Sequence, residues 1–487
     1  MTLIDWLVII AYLAAVVSIG RYFARRQRDT QDFFLGGGRM PWFAVALSVV
    51  ASLASPVGYL GDPGEIIQHG IGYLMRLAAI PFAILLTVLW IVPLFRRANV
   101  ATSFQLLRNR FGRRTELLGV CVWAYMQFAF LGLVLLLASR LIGQMVGVPT
   151  FSIIVVIGIA SIFYTSAGGL QSVVWTDVFQ FCLLATGAVV TLGVVVAQTG
   201  LGPTAWWHEV AGKTHELPPL ISWDLSERHT LIGDISFGLI VNLCYNASDQ
   251  VIVQRYFATR RARTMMIANY AAGAAYSVLT IAVGAALLTY YQANPVLLPS
   301  GVHAVTSPEF ADKAFPYFIA NSFPAGLTGL IIAGLLGAAK STLESGVNSL
   351  ASVFSNDLWL AREGGDAAKT ELSRARWATR VVGVGIVTMA LIADNLPGSN
   401  NIIDIAQKFV HLGLGPMGAL FMVAMSLQYV KPTAAVLSLL LGLGSAIFFA
   451  SSEYFIGYRV ISPLLIIPVC WLITLVGAAV LGVVIKR

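Results

Sequence analysis

What this sequence has least of is charge. Asp, Glu, Lys and Arg make up 11% of its 487 residues and hydrophobic residues 57%, whereas a soluble globular domain is about a quarter charged. So few ionisable groups cannot cover a water-facing surface, which excludes an ordinary soluble domain. Cysteine is nearly as scarce. Cys121, Cys182, Cys244 and Cys470 all fall in apolar segments, which points to buried thiols and away from a disulfide framework or a metal site. Catalytic signatures are missing too: there is no P-loop, no Gly-x-Ser-x-Gly and no His-rich zinc pattern. The six histidines are scattered, and His411, in an apolar run, reads as a core histidine. The opening MTLIDWL has no basic n-region and leads into an apolar run too long for an h-region, so no cleavable signal peptide is expected.

What is abundant is long apolar sequence, for example 3–20, 153–164 and 461–485. In lipid only helices and closed barrels satisfy the backbone, and these runs show no dyad alternation. The expected fold class is an all-α polytopic membrane protein with about thirteen transmembrane helices. The candidate spans are 3–22, 41–68, 71–95, 115–144, 150–166, 173–198, 231–254, 265–291, 316–360, 377–394, 401–427, 433–450 and 459–485. The ninth is too long for one crossing and should include an outer loop or short helix. With the N-terminus placed outside, the inner segments hold 23 of the 31 Lys and Arg residues and the outer segments four. The positive-inside rule then predicts a multi-pass protein of the cell membrane with the N-terminus outside and the C-terminus inside. The formal charge of +8 thus reflects inner loops and implies no nucleic-acid partner.

Four basic residues fall within spans: Arg76, Arg140, Lys340 and Lys408. A charge at that depth costs about 2.5–3.5 kcal/mol and calls for a partner or a function. Arg140, near an outer helix end, is expected to snorkel. Lys340 belongs to the stretch GAAKSTLESGVN at 337–348, where Ala338, Ser341, Thr342 and Ser345 recur on one helical face beside Lys340 and Glu344. A small hydroxyl face of that kind suits an ion or a polar solute. The second span carries Pro56 and Gly58 at mid-depth, where a helix break would free carbonyls around 51–54. Asp177 opens the sixth span, as a helix-terminal carboxylate or as a cation ligand. In the seventh, Asn242, Tyr245, Asn246 and Asp249 form a polar stripe that suits either a cavity lining or hydrogen bonding between helices.

Four of these stretches in order, DFFLGGGRMPW at 32–42, GGLQSVVWTDVFQ at 168–180, DQVIVQRY at 249–256 and STLESGVNSLASVFSNDLW at 341–359, make the chain resemble the sodium:solute symporter family. The resemblance implies a five-plus-five inverted repeat of the LeuT type. Residues 1–40 would form a first helix and inner loop, 41–198 the first repeat, 199–230 an outer loop, 231–427 the second repeat and 428–487 two final helices. The second and seventh spans would be the broken helices. It also implies a sodium site made of the carbonyls of Ala51, Ala54 and Ala338 with the hydroxyls of Ser341 and Thr342; neutral oxygens suit weak binding of a hard monovalent cation. A second cation site in some members would use Asp177 and Ser345. Here Glu344 stands where a small hydroxyl is expected and Lys340 precedes Ser341, so a charge network, a proton site and an ammonium replacing a cation all remain open.

The resemblance further places Ser55, Gly58, Tyr59, Asn242 and Tyr245 around a solute cavity. Leu77 matches the position of a carboxylate in sugar-carrying members, which disfavours a sugar, while Arg76 and Lys408 favour an anion. The segment LGDPGEIIQHG also resembles the branch that carries monocarboxylates, vitamins and iodide. The expectation is a secondary active transporter rather than an enzyme, with no cofactor, a small organic solute and the lipid bilayer as partners, and sodium as coupling ion. The alternatives are proton-coupled transport on the same fold and a membrane solute sensor.

Overall fold

The structure, a computed structural model, describes residues 2–24, 29–98, 100, 102–213, 219, 222, 224–227, 230–299, 304–359, 368–395 and 412–485. Among these residues the regular structure is helical throughout. The principal helices are α1 (Leu3–Ala24), α2 (Trp42–Leu53), α3 (Pro56–His69), α4 (Leu74–Ala98), α5 (Arg113–Val146), α6 (Thr150–Thr199), α7 (Leu231–Ser248) and α8 (Gln250–Ala258). They continue with α9 (Ala262–Ala293), α10 (Pro308–Ser322), α11 (Leu327–Val353), α12 (Ala368–Asn395), α13 (Leu414–Ser426), α14 (Pro432–Ile456) and α15 (Pro463–Val484).

Among the described residues ten helices are long and apolar enough to cross a membrane, or eleven if the bent pair Thr30–Gly38 and Trp42–Leu53 is one span. The gap from about thirteen has physical causes. Helix α6 contains both the fifth and sixth expected spans. Its 50 residues would measure about 75 Å if straight, more than twice the roughly 30 Å hydrocarbon core. The chain turns instead at Gly169, whose φ of 56° and ψ of −163° lie outside the helical region and suit glycine alone. The second expected span is divided into α2 and α3, of 12 and 14 residues, each too short by itself. The ninth separates into α10 and α11, as its length required. Of the eleventh, 401–411 lie outside the described residues, and Lys408 and His411 with them.

Helix α11 is the axis of the molecule. Within its apolar stretch 89% of residues are buried, against 17% to 61% in the other spans. It packs along α6 and touches α1, α2, α5 and α12. Outer faces show large apolar side chains such as Leu3, Phe163 and Val483, as lipid contact requires. Cys121 and Cys182 also lie exposed, a correction to the buried thiols expected from their apolar surroundings: they sit on helix faces that no neighbour covers. Arg140 has a partner: its Nε and Nη2 donate to Asp394 Oδ1 at 3.1 and 2.9 Å, tying α5 to α12.

Helix α1 meets the start of α11 without intervening side chains. A Cβ on Gly329 would lie 2.5 Å from the Asp5 backbone, so glycine permits the approach. There Asp5 Oδ1 accepts the amides of Gly326 and Gly329 at 2.8 and 2.9 Å, capping α11 from a neighbouring helix. Asp5→Ala is expected to remove about 1–2 kcal/mol, seen as a lower melting temperature in detergent. Asp5→Asn, which keeps one acceptor, should lie between the two.

Candidate ion and solute site

Two helix breaks frame the site. Helix α2 ends at Leu53, and Ser55 caps α3 while Pro56 takes its first position. Proline fits there because it has no amide to leave unpaired. The break redirects two donors. The Ser55 amide bonds Leu53 O at 2.9 Å and the Gly58 amide bonds Ser55 Oγ at 3.2 Å. In a continuous helix these amides would have served the carbonyls of Ala51 and Ala54. Facing the break from α11, Thr342 Oγ1 donates to Ser52 O at 3.2 Å. Ala338, Ser341 and Thr342 are buried on the same face of α11.

The second break is at Asp249, whose extended backbone closes α7 and opens α8. Its carboxylate accepts the Val251 amide at 2.8 Å and Gln127 Nε2 at 3.2 and 3.3 Å. Each polar residue of α8 is committed to a neighbouring segment. Gln250 Oε1 accepts the Ser103 amide, and Gln254 donates to Phe34 O and accepts from Ser349 Oγ. Arg255, fully buried, reaches the centre of the protein.

Arg255 is a residue of the candidate site that the sequence does not signal, because it ends an apolar run and counts naturally as an inner-loop charge; Ser48, Ser52 and Gln127 join it in the same way. Its Nη1 donates to Val251 O at 2.6 Å, and its Nη2 to Ser345, Ser52 and Ser48 at 2.8, 2.9 and 3.1 Å. Asp177 Oδ2 lies 3.5 Å from the same nitrogen. Ser48 and Ser341 donate to the two Asp177 oxygens at 2.5 and 2.6 Å. Asp177 and Ser345 are therefore brought together around a guanidinium, by four helices: α2, α6, α8 and α11.

Lys340 and Glu344 form a separate pair one turn apart, with Nζ 2.5 Å from Oε1 and 3.7 Å from the centroid of the Tyr164 ring. Neither the ammonium nor the carboxylate makes a well-aligned hydrogen bond. Asn348, one further turn along, is buried with both amide atoms unpaired, so the face through 340, 344 and 348 is a buried polar line.

Two cavities adjoin the first break. One, of about 370 Å³, is lined by Ser52, Ser55, Gln127, Asn242, Tyr245 and Thr342 among others. The second, of about 300 Å³, includes Ala54, Gly58, Asp62, Arg76, Leu77 and Asn242. Asn242, whose Nδ2 donates to Gly238 O at 2.7 Å, stands between them. Tyr59 lines neither cavity: it is buried against Phe315 and donates to Leu184 O at 3.2 Å. Asn246 bonds Tyr270 and Tyr256, which gives that part of the stripe a role in joining helices.

Residues 33–442 match the sodium:solute symporter family. The chain belongs to this family. It is 28% identical to the sodium/sialic acid symporter SiaT of Proteus mirabilis (strain HI4320), covering 90% of this chain and 88% of that protein. It is 27% identical to the sodium-coupled monocarboxylate transporter 1 of Xenopus laevis, covering 91% of this chain and 71% of that one. Among solved structures, a sodium-coupled sialic acid symporter in a substrate-bound, outward-open state superposes with a TM-score of 0.86 at 24% identity, over 99% of this chain and 98% of the other. The symporter fold is therefore the LeuT-type arrangement, with broken helices at the second and seventh expected spans.

In this symporter Arg255→Gln would leave Asp177 buried beside serines alone. Breaking such a pair costs about 3–5 kcal/mol, expected as a large drop in melting temperature. Arg255→Lys should not rescue it, since one ammonium cannot reach Val251 O and three hydroxyls together. The double variant Arg255→Gln/Asp177→Asn should recover part of the loss, and a thermal double-mutant cycle measures the coupling.

Proposed function

We propose that this symporter couples inward sodium movement to uptake of a small organic carboxylate, with the N-terminus outside and the C-terminus inside the cell membrane. The observation that carries the sodium half is the Ala54/Ser55 break. It deprives the Ala51 and Ala54 carbonyls of their helical donors, opposite the helix α11 that carries Ala338, Ser341 and Thr342 and whose Thr342 Oγ1 donates to a carbonyl between the two. These five residues form the proposed site for the ion, a neutral oxygen set suited to a transported cation.

One sodium per cycle follows from the charges around it. Asp177 is matched by Arg255 and Glu344 by Lys340, which leaves no net negative charge at the position of a second cation. Ser345 accepts from Arg255 and is committed in the same way. For the solute, the second cavity supplies a guanidinium at Arg76 and amide contacts at Asn242, with Ser55 and Tyr245 across Asn242 in the first cavity. A guanidinium suits a carboxylate, which it can hold through two parallel hydrogen bonds. The names of the relatives, a sialic acid symporter and a monocarboxylate transporter, support the same class of solute.

Uptake of a panel of carboxylates into proteoliposomes under separately imposed sodium and proton gradients tests the reading. Uptake should follow the sodium gradient with a Hill coefficient of about one. Drive by the proton gradient alone, or a coefficient near two, would overturn the ion assignment. Ser341→Ala and Thr342→Ala should each raise the sodium concentration for half-maximal uptake about tenfold, equivalent to about 1.4 kcal/mol. Arg76→Gln should raise the KM for the carboxylate by a similar factor while leaving sodium-dependent thermal stabilisation in place. A KM unchanged in that variant would remove Arg76 from the solute site.

A further inference from the structure

A third cavity, remote from the ion and solute region, has a lining that the transport cycle does not use. It measures about 360 Å³ and is walled by Arg96 and Arg97 from the end of α4 and by Arg260, Arg261 and Arg263 around the start of α9. The two segments are some 160 positions apart in the sequence, so the fold, and not a run of basic residues, assembles the cluster. Both sequence segments lack acids: no Asp or Glu occurs from 66 to 115 or from 250 to 308. Among the described residues, none of the five arginines is paired with a carboxylate. Five arginines around one cavity, each exposed to solvent, make a concentration of positive charge that favours an anion among them.

The position of the cavity identifies the anion. On α4 the lipid-facing Leu89 is 63% exposed and lies seven residues before Arg96, about 10 Å along the helix. On α9 the exposed Ile267 follows Arg263 by one turn. Val92 and Pro93 form the apolar side of the cavity. The arginines therefore stand where an apolar, lipid-covered surface ends, at the depth of phospholipid headgroups. A basic pocket between helices at that level suits an acidic headgroup with its acyl chains on the adjoining apolar surface. The start of α9, which has no side-chain cap, adds amide donors and the positive end of a long helix on the same side.

We infer that this cavity is a binding site for the phosphodiester headgroup of an anionic phospholipid. Arg96 connects the site to the transport core. Its Nη1 donates to the carbonyls of Tyr256 and Thr259 at 3.4 and 3.5 Å, at the end of α8, the half-helix that carries Arg255. A headgroup neutralising the cluster holds Arg96 in that position and braces the end of α8. An acidic lipid is thus a structural requirement for full uptake rate.

The test uses the full-length purified chain, with thermal melting and native mass spectrometry after addition of cardiolipin, phosphatidylglycerol, phosphatidylcholine or inorganic phosphate. The two acidic lipids should raise the melting temperature and remain bound, while phosphatidylcholine and phosphate should do neither. The triple variant Arg97→Gln/Arg260→Gln/Arg261→Gln should weaken the lipid effect about tenfold or more and leave stabilisation by sodium unchanged. Equal stabilisation by phosphatidylcholine, or a lipid effect undiminished in the variant, would overturn the site. Phosphate acting as strongly as the lipids would assign it to a free anion instead. Should the triple variant fail to fold, Arg97→Gln and Arg261→Gln singly, each compared with its Lys counterpart, give the same reading: charge-retaining variants keep the lipid shift and neutral ones lose part of it.

Discussion

A guanidinium with no exposure to solvent, at the meeting point of α2, α6, α8 and α11, is the constraint to which the rest of this structure conforms. Moving a charge of that size out of water carries a penalty of several kcal/mol even after relaxation, and partners must offset it in good geometry. Arg255 finds its partners on its own helix at Val251 O, on α2 at Ser48 and Ser52, on α11 at Ser345 and on α6 at Asp177. Withdrawing any one of these helices exposes the cluster or leaves a donor unmatched. The cluster also explains where the chain breaks. Ser52 holds the last turn of α2 to the guanidinium and to Ser345, and helix order ends one residue later. On the other side, Asp249 unwinds the chain between α7 and α8 just before the carbonyl of Val251 is needed. The ordered centre and the two irregular segments are therefore one construction.

Much of this was legible in the sequence, for identifiable reasons. Pro56 and Gly58 act on the backbone locally, so the division of the second span could be read from residue types. The hydroxyl stripe of α11 follows from helical spacing, and burial of the whole stripe follows from α11 being the central helix. The bend at Gly169 falls in the glycine pair of GGLQSVVWTDVFQ, and the backbone is helical on both sides of it. Arg255 was not legible. An arginine that follows an apolar run is normally an inner-loop charge, and only the tertiary meeting of Ser48, Ser52, Asp177 and Ser345 reveals that this one points inward. The side chain of Tyr59 was hidden for a similar cause: helix periodicity gives the face of a residue but not which neighbouring helix, here the one bearing Leu184, receives its hydroxyl.

The buried pair on α11 has a different character. Lys340 and Glu344 are neighbours on one helix, so their ion pair joins no two helices, and the i, i+4 arrangement alone contributes only about 0.2–0.5 kcal/mol on an exposed surface. In the interior the pair removes a net charge that would otherwise be prohibitive, yet its remaining donors and acceptors are unmatched, as are those of Asn348. Partly satisfied polar groups of this kind cost stability. Their place beside the proposed ion ligands, with Tyr164 covering the ammonium, makes them part of the electrostatic surroundings in which the ion is held, and not of the scaffold.

Coupling between ion and solute has a direct physical route here. Ser52, Ser55 and Thr342 line the first cavity, while Ala54 and Gly58 line the second; the same few residues of the break carry or flank the carbonyls of the proposed ion site. An ion that fixes the Ala51 and Ala54 carbonyls fixes the walls of both cavities, so no long relay of side chains is required. The ion can shift the conformational equilibrium only by its difference in affinity between two arrangements. Moving a population from 1:99 to 99:1 requires a difference of about 5.5 kcal/mol. Three backbone carbonyls and two hydroxyls supply such a difference only if one arrangement disperses them, and the unwound joint between α2 and α3, beside the Arg255 cluster, is where the proposed mechanism would place that change. The buried guanidinium that makes the centre rigid is in this sense what makes the breaks useful.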